Sequence, residues 1–587
     1  MNDFGSVQGG GNKRRKKKKK ASETTRMAIV IGIAILLVIA VGVLLYFLVI
    51  KPSQREETLP SIDFTESAPP ETAPTETEPQ EILPEEIEAV LAAAKIKAAM
   101  YDYDAAIEYV KTEIPDFLEY QELLDAITLW KEEKSELIKW PDNTQITHVF
   151  FHILVADEQT AFANSNYEKD DYNMVMTTVD EFNEIIQLMY DKGYVMVHLS
   201  DIAEIQTQAD GTEKMVFKDI WLPEGKIPFV LSQDDVCYYE YMLDAGEWMK
   251  ASDRGETYDG YATKLVYDAD GKLTSEMKMA DGTYTYGAYD MVPLIDAFVE
   301  KHPDFSYRGA KGTLALTGYN GIFGYRTSYI SYGSDEVLQQ HYNELFKSPM
   351  FDEKEAYRLA RIPETHLYNN DNIEADREMA AKIAATLKET GWKLASHTWG
   401  HMNMANHDNV NPAERFYRDT QWWDVEVRDL IGGTDIIIFA FGGDLGSWRP
   451  YNSDNKLYTW LKADGFNYYC NVDASSAYWV QRVGSVKSED GSYADSGYFR
   501  QARRNLDGQR MFESIVYMTV APNEGDEGYK RYRLRDLFDP REIYSLNRPW
   551  PSADTEVFLG IKLPEGFNAD AVRRVMEELQ SGKEEGK

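Results

Sequence analysis

Segments with the pattern of β-strands and of amphipathic helices alternate along this chain from about residue 145. Apolar runs such as "ITHVFFHILVA", "KIPFVLS" and "GTLALTG" are separated by segments such as "TVDEFNEIIQLMYDKGY", where apolar residues recur every three or four positions. This alternation is typical of an α/β fold with a mostly parallel sheet or barrel. In such folds the reactive side chains follow the carboxyl ends of the strands, so a functional site is expected there.

Two of these strand-like segments end in potential metal ligands. The segment "VLSQDD" ends in Asp234 and Asp235, and "KLASHTWGH" contains His397 and, four positions later, His401. If "HTWGH" opens a helix, both imidazoles lie on one face and can bind one ion. One carboxylate and two imidazoles leave a coordination position for water, which is typical of a catalytic metal site. A neighbouring carboxylate can then accept the proton of that water.

Taken singly, each pair has a simpler interpretation, as acids on a solvated loop or polar residues at a strand end. Their order and context, however, resemble the polysaccharide deacetylases, carbohydrate esterase family 4, which contain the NodB homology domain. The strand end "LSQDD" is similar to the family's first motif, T-F-D-D, and "HTWGH" is similar to its second, H-[ST]-x-x-H, with Thr398 at the hydroxyl position. The resemblance covers about residues 146–480.

This resemblance implies a distorted (β/α) barrel of the polysaccharide deacetylase type. It implies that Asp234 is the catalytic general base and that Asp235, His397 and His401 bind a divalent metal. Zinc is the expected ion for two imidazoles and one carboxylate.

The later motifs of the family are altered in this chain. The third, an Arg-Pro-Pro-Tyr type of strand end, is replaced by "FAFGGDLG". The fifth supplies a late histidine as general acid, but no histidine follows His407. His152, at the end of the first strand, and His407 are candidates to replace it, with a core position and a surface position as their respective alternatives. An insertion at 236–290 contains the turn signals "DADG" and "ADG", which predict a β-hairpin.

Several other side chains are candidates for the cleft, each with a purely structural alternative. The segment "ARRNLDG" can bind sugar hydroxyls, replace the third-motif arginine or form a solvated turn. A free buried thiol is expected at Cys237, with a Cys237–Cys470 disulfide as the alternative. The remaining candidates are Arg503, Arg504, Asp507, Tyr325 and Arg326.

The N-terminal part of the chain predicts a membrane anchor. Residues 27–50 carry no charge and would form a helix about 36 Å long, enough to cross a bilayer. The basic run "KRRKKKKK" within residues 1–26 predicts a cytoplasmic N-terminus and an extracellular main domain, with a nucleic-acid patch as the alternative. Residues 51–83 have the Pro-, Glu- and Thr-rich composition of a disordered linker, and residues 84–140 have the helical period of a neck.

The remaining chain comprises a predicted deacetylase-like domain at 141–545 and a C-terminal tail at 546–587. The formal net charge is -36, although residues 1–26 are basic, so nucleic acid is not an expected partner of the main domain. We expect a metal-dependent hydrolase that removes acetyl groups from a cell-surface glycan, such as an N-acetylglucosamine polymer of peptidoglycan or an exopolysaccharide. The alternatives are a weakly active or inactive glycan-binding protein on the same scaffold, and a scaffold that acts through the neck.

Overall fold

Seven parallel strands form a closed barrel in the computed structural model. In chain order they are β1 (Thr147–Phe151), β2 (Ile227–Gln233), β3 (Thr313–Leu316), β4 (Lys393–Ser396), β5 (Ile436–Ile438), β6 (Tyr468–Val472) and β7 (Tyr498–Asn505). Each strand pairs in parallel with the next one along the chain, and β7 pairs with β1 to close the ring. The predicted α/β fold with a parallel barrel is therefore confirmed.

The structure describes residues 84–163, 170–243, 260–334, 336–338, 340–341, 370–404, 412–446, 449–472, 481–484, 495–523, 525–526, 534, 536–548 and 567–584. The predicted basic tail, membrane helix and linker lie outside these ranges. Within them, no helix is long and apolar enough to span a bilayer.

Helices connect the barrel strands. The helices are Val179–Asp191 before β2, Met291–Lys301 before β3, Ile373–Glu389 before β4, Pro412–Trp423 with the π-helical turn Asp424–Arg428 before β5, Lys456–Ala463 before β6, and Gly508–Val520 after β7. The first of these begins at a capping box, in which Thr178 and Glu181 each accept the other's backbone N–H through their side chains. Its apolar face buries Phe182, Ile185, Ile186 and Met189.

Shorter elements complete the described part of the fold. The other α-helices are Pro84–Ala99, Tyr103–Glu113, Gln121–Ser135, Glu158–Ala163, Asp170–Val175, Leu199–Ile202, Glu240–Leu243, Tyr329–Tyr332 and Ala569–Glu584. The 3₁₀ turns are Phe117–Glu119, Asn143–Gln145, Pro303–Phe305, Ala440–Gly442 and Pro540–Glu542. The other strands are Ile138–Lys139, Tyr194–Met196, Ala203–Thr207, Glu213–Phe217, Trp221–Leu222, Ala262–Tyr267, Leu273–Lys278, Tyr284–Gly287 and Gln481–Gly484.

The insertion after β2 contains more than the predicted hairpin. Its described residues include a three-stranded antiparallel sheet, formed by Ala262–Tyr267, Leu273–Lys278 and Tyr284–Gly287. The two predicted turns connect these strands, and Gly271 and Gly282 take the positive φ that each turn requires. The sequence pattern thus located both turns but not the third strand.

Side chains on the two faces of the barrel strands belong to two apolar clusters, because alternate residues of a strand face opposite sides. Outward-facing residues pack in the larger cluster with the surrounding helices; they include Val149, Phe151, Leu231, Leu314 and Leu394. Inward-facing residues belong to a second cluster, which includes Val230, Ala315, Ala395, Ile438 and Cys470.

The helices of the neck region share that second cluster. Buried residues of Pro84–Ala99, Tyr103–Glu113 and Gln121–Ser135 lie in one cluster with Tyr468 and Phe499, which are at the amino-terminal ends of β6 and β7. The three helices therefore cover the amino-terminal end of the barrel and complete its core. The amino-terminal end of the barrel is therefore used for packing, and the carboxyl end remains for a functional site.

We expect Ile127→Ala to lower the free energy of unfolding by about 2–4 kcal/mol, because Ile127 is only 4% exposed in the cluster between the neck helices and the barrel. Leu129→Ala is the matched control on the same helix, since Leu129 is 51% exposed and its truncation should change stability by less than about 0.5 kcal/mol. Denaturant unfolding of both variants measures the difference. Equal, small effects would show that these helices fold independently of the barrel.

Candidate metal centre

The side chains of Asp235, His397 and His401 converge where β2 and β4 end. Nε2 of His397 lies 3.7 Å from Oδ1 of Asp235, and Nε2 of His401 lies 3.6 Å from the same oxygen. All three ligand atoms lie within 4.8 Å of one another. Tetrahedral zinc with bonds of about 2.0–2.1 Å places neighbouring ligand atoms about 3.3 Å apart, so the two contacts of Asp235 are close to the spacing that one ion requires. In the described part of the chain, these three residues are the one set of three or more ligand-type side chains close enough to share a metal.

His397 is fixed in the tautomer that a metal requires. Its Nδ1–H donates to the carbonyl oxygen of Ile438 at 2.8 Å, at the end of β5, which leaves the Nε2 lone pair free to coordinate. Burial lowers the pKa of His397 below its usual value, although the carboxylates of Asp234 and Asp235 act in the opposite direction. The imidazole is therefore neutral, as a metal ligand must be.

A turn, and not a helix, brings the second histidine to the first. Thr398 and His401 have φ values of 67° and 50°, which no helix contains. The carboxylate of Asp419 accepts the backbone N–H groups of Trp399 and Gly400, each at 2.7 Å. The helix considered for "HTWGH" does not form, because this buried carboxylate stabilises a tight loop in its place.

Asp419→Ala should weaken zinc affinity about 10- to 100-fold, as is typical when a residue that orients a metal ligand is removed. Asp419 makes no ion pair with the histidines and acts only through the backbone of their loop. Competition with a chelator of known affinity measures the change, with the exposed Asp454→Ala as control. An unchanged zinc affinity in Asp419→Ala would mean that the loop keeps its shape without the carboxylate.

Asp234 is held differently from Asp235, by a buried arginine. Its Oδ1 and Oδ2 accept hydrogen bonds from Nη1 and Nη2 of Arg503, on β7, at 2.6 and 2.9 Å. Burial raises the pKa of Asp234, but Arg503 and His397 outweigh it and lower the pKa to about 2. Asp234 is therefore ionised at neutral pH, and both of its oxygens are bound to Arg503. Arg503 lies on β7 with a fully buried side chain, so the alternative of a solvated turn is wrong for this residue.

A buried polar layer inside the barrel supports this pair. Ser232 accepts a hydrogen bond from Nη1 of Arg503 at 3.3 Å and lies 2.9 Å from Nε2 of His148, whose Nδ1 is 3.1 Å from Oε1 of Gln501. Burial, followed by the charge of Arg503, keeps the pKa of His148 well below its usual value. A neutral His148 that donates from Nδ1 satisfies both contacts.

Tyr239 orients Asp235 and was not identified from the sequence. Its hydroxyl donates to Oδ1 of Asp235 at 2.6 Å and lies 3.0 Å from Oγ1 of Thr317, which follows β3. Tyr239 lies only four residues after Asp235, which could have suggested a contact between them. The backbone conformation that follows the acids could not be predicted from the sequence.

Cys237 also contacts Thr317, and burial raises the pKa of its thiol to about 12. Both cysteines are free, so the alternative of a Cys237–Cys470 disulfide is wrong.

His152 interacts electrostatically with the two acids. Its Nδ1 is 3.0 Å from the carbonyl oxygen of Val175, to which it donates, so Nε2 remains available for proton transfer. The ring is close enough to interact electrostatically with the carboxylates of Asp234, Asp235 and Asp507. His407, the other candidate, lies outside the described residues.

The remaining candidates have contacts that support the surrounding loops. Arg326 donates to backbone carbonyls in the loops after β2 and β3, and Tyr325 donates to a backbone carbonyl of the insertion. Arg504 pairs with a half-exposed carboxylate, and Asp507 caps the helix Gly508–Val520. For Tyr325 and Arg326 these contacts agree with a structural role. Arg504 is buried on β7 and Asp507 is buried at the start of a helix, so the alternative of a solvated turn is wrong for both residues.

Comparison of the chain with protein-family models, with curated proteins and with solved structures finds no match. The chemistry of the site therefore has to be argued from its own residues. They form three converging metal-type ligands beside a second carboxylate, Asp234, whose Oδ2 lies 3.9 Å from Nε2 of His397 and whose two oxygens both bind Arg503.

Proposed function

We propose that the protein is a metal-dependent hydrolase that removes acetyl groups from a cell-surface glycan. The observation that carries this proposal is the different environment of two adjacent acids, with Asp235 facing two imidazoles and Asp234 paired with Arg503. Such a division suits one metal ligand and one proton acceptor. The order of the acids after β2 and the histidines after β4 further supports a barrel of the polysaccharide deacetylase type.

In this proposal Asp235, His397 and His401 hold a divalent metal, with zinc as the expected ion. When bound, the metal supplies a water of lowered pKa and polarises the acetyl carbonyl. Asp234 accepts the proton of the attacking water, and Arg503 keeps that carboxylate ionised and oriented. The two adjacent residues thus have distinct chemical tasks.

The leaving group also needs a proton, because an unprotonated amide nitrogen is a very poor leaving group. His152 is the described side chain that best fits this role, since its Nδ1 is occupied by the carbonyl of Val175 and Nε2 is available. It lies on the first strand's loop and not on a late one. In this proposal the general acid follows the first barrel strand, whereas the general acid of the polysaccharide deacetylases is a histidine near the end of the domain.

The substrate class is proposed from the expected location. The uncharged residues 27–50 after a basic run support a single-pass anchor with a cytoplasmic N-terminus and an extracellular barrel. Such a domain would meet N-acetylated polymers of the cell envelope, so N-acetylglucosamine in peptidoglycan or an exopolysaccharide is the proposed substrate.

Metal analysis and acetate release together test the proposed function. Purified protein should contain about one zinc per chain and release acetate from an acetylated N-acetylglucosamine polymer. Chelation should stop the reaction, and zinc should restore it. His397→Ala is the control for metal-independent acetate release. A protein that binds no metal even after zinc loading would contradict the proposal.

A glycan-binding protein without activity is the second candidate. The observation that favours it is the replaced third motif together with the absence of any histidine after His407. The buried Asp234–Arg503 pair favours the hydrolase, since a binding protein has no need of a proton acceptor beside the ligands. Binding of the polymer without acetate release by the zinc-loaded protein would select this alternative.

A further inference from the structure

Phe441 is exposed to an extent unusual for its size. Its side chain is 68% exposed, more than any other phenylalanine, tyrosine or tryptophan in the described part of the chain. It lies in the 3₁₀ turn Ala440–Gly442, directly after β5 and therefore at the carboxyl end of the barrel. The carboxyl end of a parallel barrel is where such folds bind their ligands, so this ring is placed to contact a bound molecule.

The backbone holds Phe441 in a conformation that phenylalanine seldom adopts. Its φ is 56°, in the left-handed region, where asparagine and glycine are preferred. The next residue, Gly442, has φ 67°, and a Cβ there would lie only 2.5 Å from Cβ of Val472. The turn is thus fixed against β6, and Phe441 neither suits its backbone conformation nor buries its side chain. These two unfavourable features indicate that the ring is retained for a contact with another molecule.

The ring is beside the candidate metal centre. Its centroid is 4.4 Å from that of the His401 imidazole, with 48° between the planes. On the side of Asp235, Tyr239 stacks with Tyr319 at 5.4 Å. Aromatic rings therefore lie next to two of the three candidate ligands, and Phe441 is the one that is mostly exposed.

We propose that Phe441 is the platform on which the sugar ring of the substrate stacks. The apolar C–H face of a hexopyranose can lie against an exposed phenyl ring, and this contact places the acetyl group of that sugar near the metal ligands. This inference rests on the proposed function and adds a specificity-determining residue to it. The contact is with a part of the substrate that does not react.

Kinetics on two substrates test this role in the zinc-loaded, full-length protein. Chitopentaose presents sugar rings, and ethyl acetate presents the acetyl group alone; acetate release is measured for both. Phe441→Asn suits the left-handed backbone, so it should fold with an unchanged or higher melting temperature. It should raise KM for chitopentaose about ten-fold with little change in kcat, because the contact is made equally before and in the transition state. The ratio of kcat/KM for chitopentaose to that for ethyl acetate should fall by the same factor.

Two further variants separate stacking from other roles. Phe441→Tyr keeps the ring and should retain a KM near that of the wild type. Tyr286→Asn removes another exposed aromatic ring, 60% exposed on the insertion, and should leave both substrates unaffected.

Three outcomes would overturn the inference. An unchanged KM for chitopentaose in Phe441→Asn would exclude stacking while leaving the proposed hydrolase intact. A weaker zinc affinity in that variant, with an unchanged KM, would mean that the ring only orients His401. If the wild type releases acetate from neither substrate, the proposed function fails, and the inference fails with it.

Discussion

Asp235→Asn should lose zinc binding, whereas Asp234→Asn should keep the metal and lose about 10²- to 10⁴-fold in turnover. The reason is the difference in their contacts. Oδ1 of Asp235 is within 3.7 Å of both imidazole Nε2 atoms. Asp234 lies 3.9 Å from His397 alone, and both of its oxygens are bound to Arg503. An amide at position 235 lacks the negative charge that the cation needs, and an amide at position 234 cannot accept a proton.

Zinc content and acetate release, measured on the same preparations, check this prediction. Asp234→Asn leaves the buried guanidinium of Arg503 without its anion, which costs about 3–5 kcal/mol of stability. The double variant Asp234→Asn/Arg503→Gln removes both charges and should recover much of that loss. It should still bind zinc and still be inactive. If Asp234→Asn loses the metal and Asp235→Asn keeps it, the two roles are reversed.

The sequence predicted the parts of this site that depend on strand ends. Asp235 and His397 each follow an apolar run, and the parallel barrel places such positions together regardless of their separation along the chain. The four-residue spacing correctly brought His401 next to His397, but through a helix where the structure has a turn. The carboxylate of Asp419, which holds that turn, could not be assigned to the loop from the sequence. A local pattern thus identified the three side chains that converge but not the backbone that orients them.

Contacts made by barrel closure were harder to predict. Arg503 meets Asp234 only because β7 pairs with β1, which in turn pairs with β2. In the sequence, Arg503 and Arg504 are adjacent and equivalent, and only the alternation of side chains on β7 separates the buried partner of Asp234 from its outward neighbour. The neck helices are a similar case, since their helical period was clear but the barrel end that they cover was not.

His152 is the proposed general acid. His152→Ala should lower hydrolysis of an N-acetyl amide by ten-fold or more and hardly change hydrolysis of an aryl acetate ester. An amine must be protonated as it leaves, whereas a phenolate leaves without that help. The structure favours His152 because the Val175 carbonyl fixes its Nδ1 and because it interacts with the carboxylates of Asp234 and Asp235.

Parallel assays of the amide and the ester on His152→Ala and His407→Ala distinguish the two candidates. Zinc content serves as the control in both variants, since neither histidine belongs to the proposed ligand set. A selective loss of amide hydrolysis in His407→Ala alone would transfer the role to that residue. An equal loss on both substrates in His152→Ala would assign the histidine to substrate binding or structure, because removing a group that only protonates the leaving nitrogen cannot slow a reaction whose leaving group needs no proton.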